Sequence, residues 1–131
     1  MPHRHLYVLV ALALLGAGCA MEVKRHPVEL LAATPERGQR FATSQAVELV
    51  LESGYPRSIA AGTEFIVVGR VAQGLVLKPT QTVLTVEGAH MHEAYAVLHA
   101  GQLVGFYPPV EHAFAPLPLA VSLPLLERKS P

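Results

Sequence analysis

Phe65-Ile66-Val67-Val68-Gly69-Arg70-Val71-Ala72-Gln73-Gly74-Leu75-Val76-Leu77 is the stretch that decides the fold. Two runs rich in valine, isoleucine and leucine flank a short Ala-Gln-Gly break that reverses the chain. β-Branched side chains lose rotamer freedom in a helix and pack well on a pleated surface, so each run reads as a strand. Phe65–Val71 lacks a polar parity and reads as a strand buried on both faces. Pro79 ends the second strand.

The same texture extends outward in both directions. Val47, Leu49 and Leu51 alternate with Glu48, Val50 and Glu52, and Ser53-Gly54-Tyr55-Pro56 breaks that strand. Thr82-Val83-Leu84-Thr85-Val86 runs up to Gly88. Tyr95–Leu98 and Leu103–Phe106 flank His99-Ala100-Gly101-Gln102, which reads as a hairpin with a two-residue turn on Ala100-Gly101. That turn predicts Val97 opposite Val104 and Tyr95 opposite Phe106, with Ala96 and Gly105 forming a thin strip where another backbone can approach. Nothing after Thr43 sustains a 3.6-residue period. The expectation is an all-β domain, a small antiparallel sandwich or barrel of about six to eight short strands.

Toward the C-terminus Leu117, Leu119, Val121, Leu123 and Leu125 share one parity, while Pro116, Pro118 and Pro124 share the other. Prolines confined to one parity suit the unpaired side of an edge strand, or an extended tail lying on the body through its leucines. Residues 20–43 read as a tether with at most one short helix. Thr34-Pro35-Glu36-Arg37 has the form of a helix start, and Gly38 stops it. The division is then 1–18, 19–43 (tether), 44–126 (β-domain) and 127–131 (tail).

The first segment has a character of its own. Arg4, His3 and His5 precede an apolar run from Leu6 to Leu15, followed by Gly16-Ala17-Gly18-Cys19. A basic start, an apolar middle and small residues before a cleavage point make a secretory signal, and the run is too short to span a bilayer. Leu15-Gly16-Ala17-Gly18-Cys19 resembles the lipobox of bacterial lipoproteins, with Gly16 at the position where that motif favours leucine. The resemblance covers about the first twenty residues and implies cleavage before Cys19 and a covalent lipid on it. Ala20, in place of an aspartate, implies sorting to the outer membrane rather than retention at the inner one. Two or more acyl chains anchor a protein stably, whereas one holds it only marginally.

Composition excludes several classes. Lysine plus arginine equals aspartate plus glutamate at 10 each, and no basic run occurs, which argues against a nucleic-acid partner. Gly-rich phosphate loops are missing, so no nucleotide is expected. Cys19 is the single cysteine, and acylation would leave the domain without a disulfide, a thiol nucleophile or a thiolate metal ligand. No Gly-x-Ser-x-Gly elbow is present, and no serine stands in a nucleophile-like setting. The chain reads as non-enzymatic.

The densest polar group is Glu87-Gly88-Ala89-His90-Met91-His92-Glu93. On a strand His90 and His92 share a face, and the hairpin register extrapolates to Glu111 opposite His90 with His112 beside it. Two or three imidazoles with a carboxylate suit copper or zinc, so His90, His92 and His112 are candidate metal ligands. Ordinary strand-end histidines are the simpler reading. Tyr55 and Tyr107, each next to a proline, are candidate partner-binding residues. The expectation is a lipid-anchored, periplasm-facing module serving an envelope assembly through a protein partner, with no cofactor. A copper- or zinc-binding lipoprotein is the alternative, and a barrel with Tyr55, Tyr107 and Pro108-Pro109 at its mouth is a third reading.

Overall fold

A computed structural model describes residues 25–87 and 91–129. Among them there is no helix; the chain forms eleven strands arranged as an all-β sandwich. They are β1 (His26–Pro27), β2 (Arg40–Thr43), β3 (Val47–Val50), β4 (Pro56–Ile59), β5 (Glu64–Val71) and β6 (Gly74–Pro79). Then come β7 (Leu84–Glu87), β8 (Met91–His99), β9 (Gln102–Tyr107), β10 (Ala113–Ser122) and β11 (Leu125–Arg128). Nine form one antiparallel sheet in the order β1-β10-β9-β8-β6-β5-β2-β11, with β7 added on β8, and β3-β4 is a separate hairpin.

Strand pairing reaches beyond residues 44–126 at both ends. β2 sits between β5 and β11, and Arg128 is paired with Arg40. Part of the expected tether therefore belongs to the body. Thr34–Gly38 makes a turn rather than a helix, closed by the Arg37 amide on the Thr34 carbonyl at 3.2 Å.

The deciding stretch forms the β5-β6 hairpin, and a bulge gives it two buried faces. Val67 lies opposite Leu77, but Gly69 lies opposite Val76, so the register slips between them. An extra residue inverts which way the following side chains point. Phe65, Val67 and Leu77 accordingly enter one apolar cluster, and Val71 and Val76 enter another. The first cluster is sealed by the β3-β4 hairpin through Val47, Leu49 and Ile59, all buried. The second holds Val97, Tyr107 and Phe114, with Val28 and Leu30 of the N-terminal segment packed against it.

The β8-β9 turn falls on Ala100-Gly101 as expected, with both residues at positive φ (49° and 77°). The register differs from the expected one. A slip between Val97 and Leu98 places Tyr95 opposite Tyr107, Ala96 opposite Phe106 and Val97 opposite Gly105. The close approach at Gly105 is present: a Cβ there would lie 2.5 Å from the Ala115 carbonyl oxygen and 2.6 Å from the Phe114 ring. β10 pairs with β1 only at Ala113 and Phe114, so past Ala115 its pairing is with β9 alone among the described residues. That open side agrees with the proline parity.

Candidate functional site

At one end of the large sheet β9 stops and the chain turns back into β10. Pro108 and Pro109 cannot donate to a ladder, and the Glu111 amide closes a turn on the Pro108 carbonyl at 3.2 Å. His112 adopts a positive φ of 49°, which redirects the chain into Ala113. The loop thereby presents Glu111 toward the start of β8, where His92 Nε2 stands 2.9 Å from Glu111 Oε1. Arg25 Nη1 forms an ion pair with the other carboxylate oxygen, Oε2. One carboxylate thus joins the start of the described chain, the β9-β10 loop and β8. All three side chains are partly shielded from solvent.

Behind this junction lies Tyr107. Its ring is 1% exposed, and its hydroxyl is 3.2 Å from His112 Nδ1. Burial, and then the neighbouring Tyr95 hydroxyl, push its ionisation above the ordinary tyrosine range. At neutral pH the hydroxyl therefore keeps its proton, and the imidazole tautomer sets which of the two groups donates. The two tyrosine rings lie 6.4 Å apart, tilted by 42°.

The sequence-based candidates fare unequally. His92 and Glu111 do meet, while His112 turns to Tyr107, and His90 lies outside the described residues. Among the described residues no group of three His, Cys, Asp or Glu side chains is placed to hold a metal ion. Tyr107 is not a surface residue: it lies buried in the second apolar cluster, which removes it as a partner contact. Tyr55 is 55% exposed at the tip of the β3-β4 hairpin, near Val50 at 52%. Cys19 lies outside the described residues. Arg25 went unanticipated, because nothing in a polar Lys-Arg-His-Pro run signals a partner so distant along the chain.

A recess of about 120 Å³ lies between the β3-β4 hairpin and β7, walled by Leu49, Ile59, Val83, Leu84 and Phe106, with Arg57 at its edge. Sites for small molecules commonly occupy ~300–1,000 Å³, so this space suits a single inserted side chain. Comparison with protein-family models, with characterised proteins and with solved structures finds no match.

Proposed function

We propose that this chain is a lipid-anchored lipoprotein of the bacterial envelope, acting as a non-enzymatic binding or structural module. The observation that carries the reading is the apolar run ending in Leu15-Gly16-Ala17-Gly18-Cys19, the single cysteine of the chain. Ala20 favours the outer membrane. Anchoring raises the local concentration of the domain near envelope partners. The exposed Val50 and Tyr55 at the β3-β4 tip, and a recess of side-chain size between that hairpin and β7, support recognition of another protein.

The test compares the natural chain with Cys19→Ser in a Gram-negative host fed an alkyne-tagged fatty acid. The natural chain takes up the tag and sediments with the outer membrane, and the variant loses the tag and accumulates as a longer precursor. A variant processed and fractionated as before would overturn the proposal. The copper or zinc reading keeps one supporting observation, the adjacency of His92 and Glu111. It stands if micromolar metal binds the detergent-solubilised protein and His90→Ala/His92→Ala abolishes that binding; it falls if no metal binds.

A further inference from the structure

We infer that the end of the domain bearing Val110 and Met91 is its membrane-contacting face, seated on the lipid headgroup layer. The inference rests on the lipid-anchor reading and adds an orientation to it. Five residues, Ala20–Lys24, separate Cys19 from Arg25. A chain spans at most ~3.6 Å per residue, so Arg25 is confined to roughly 20 Å of the acylated cysteine. Arg25 is the residue that grips Glu111. The anchor therefore enters the domain at the junction of the β9-β10 loop with the start of β8.

The apolar surface at that junction has no partner within the fold. Val110, which precedes Glu111, is 83% exposed, the highest value among the large exposed apolar side chains. Met91, which precedes His92, is 59% exposed. His92 and Glu111 meet at 2.9 Å, which holds their two apolar neighbours on the same end. Arg25 compensates the Glu111 carboxylate, which lowers its repulsion from anionic headgroups. Apolar side chains around a neutralised charge fit the boundary between headgroups and acyl chains. The turn at the opposite end of the hairpin carries the exposed Gly101 and Gln102, and the exposed Leu119 lies on β10 short of that turn, away from Arg25.

Acylation of Cys19 leaves the mature chain without a thiol, so one introduced cysteine can carry an environment-sensitive fluorophore. Val110→Cys, Met91→Cys and Gln102→Cys are labelled in the full acylated protein. Each is reconstituted into phosphatidylethanolamine/phosphatidylglycerol vesicles with or without brominated acyl chains. The expected result is a blue-shifted emission, with quenching by brominated lipid at 110 and 91 about twofold or more above that at 102. Equal quenching at all three positions, or none at 110 and 91, would overturn the orientation. Vesicle flotation separates the two readings. A protein that floats with an unquenched 110 keeps its anchor and loses this face, whereas a protein that does not float loses both.

Discussion

The two faces of the large sheet are closed in different ways. One is covered by a hairpin whose strands alternate buried and exposed residues, Val47 and Leu49 inward and Glu48 and Val50 outward. The other is covered by a single extended segment, residues 28–31, which contributes Val28 and Leu30 and one two-bond bridge. Leu31 and Arg70 exchange amide-to-carbonyl bonds of 2.8 and 2.9 Å, and Val28 donates to the His112 carbonyl at 3.0 Å. The hairpin face is closed by an element with its own pairing. The segment face is closed by a stretch that leads back toward Cys19, so under the proposed lipid anchoring its packing and the position of the anchor would be linked.

The largest expected effect falls on the hairpin face. Phe65 is 0% exposed within the first cluster, and Phe65→Ala removes a whole ring from it. Such truncations cost about 3–5 kcal/mol, which a urea titration reads as a shifted midpoint. A midpoint close to that of the natural chain would mean that the hairpin is not what holds the domain together. Gly69→Ala tests the segment face. Its Cβ would lie 2.5 Å from the Leu31 carbonyl oxygen and 2.9 Å from a Leu30 methyl. Overpacking of this kind costs about 1–3 kcal/mol. Hydrogen exchange should then accelerate at the Leu31 and Arg70 amides and leave those of β3 and β4 protected. Equal acceleration on both faces would show one cooperative unit.

Tyr107→Phe probes the same face through pH. The folded-state ionisation of Tyr107 is raised, so its contribution is fully present below the unfolded tyrosine value of about 10 and is lost as pH climbs through the folded one. The variant loses the bond to His112, about 1 kcal/mol at neutral pH, and flattens the alkaline limb of the stability profile. An unchanged alkaline limb would show that this hydroxyl ionises as freely in the fold as outside it.

The elements legible in the sequence were those set by local rules. Runs of β-branched residues between turn formers marked β3, β5, β6, β7, β8 and β9, and Ala100-Gly101 marked a turn that both residues occupy at positive φ. Register was not legible. Val97, Leu98, Leu103 and Val104 are all apolar, so either pairing buries apolar surface, and the slip beside Leu98 leaves no mark in the pattern. Tyr107, expected at the surface beside its proline, is buried because both faces of β9 are covered there, Phe106 in the first cluster and Tyr107 in the second. The polar junction was half legible: the extrapolated register set Glu111 opposite His90, whereas it meets His92, and the grip of Arg25 depends on β1 pairing with β10. β1 is only His26-Pro27, too short to announce itself.

The smallest expected effect lies at the far edge of the segment face, where Glu36 Oε1 accepts from Arg70 Nη2 at 3.0 Å. The Glu36 carboxyl is held below its ordinary range, first by its own backbone N–H, then by the Arg70 guanidinium and the Thr34 hydroxyl, against an opposing desolvation. A lowered folded value means that the contribution is present above the unfolded glutamate value of about 4.3 and is lost as pH falls through the folded one. Because the pair is open to water, solvent screening keeps the effect small. Glu36→Gln should therefore leave the urea midpoint at neutral pH nearly unchanged and remove a slight acid-side dependence. Arg70 lies one residue from Gly69 and bridges Leu31, so the comparison gains from reading both variants at the same amides. If Glu36→Gln leaves exchange at Leu31 unchanged at neutral pH, where only the natural chain carries the carboxylate, the turn at 34–38 does not brace the segment. If it speeds exchange at neutral pH, the ion pair supports the bridge, and the segment face is closed by charge as well as by its two aliphatic side chains.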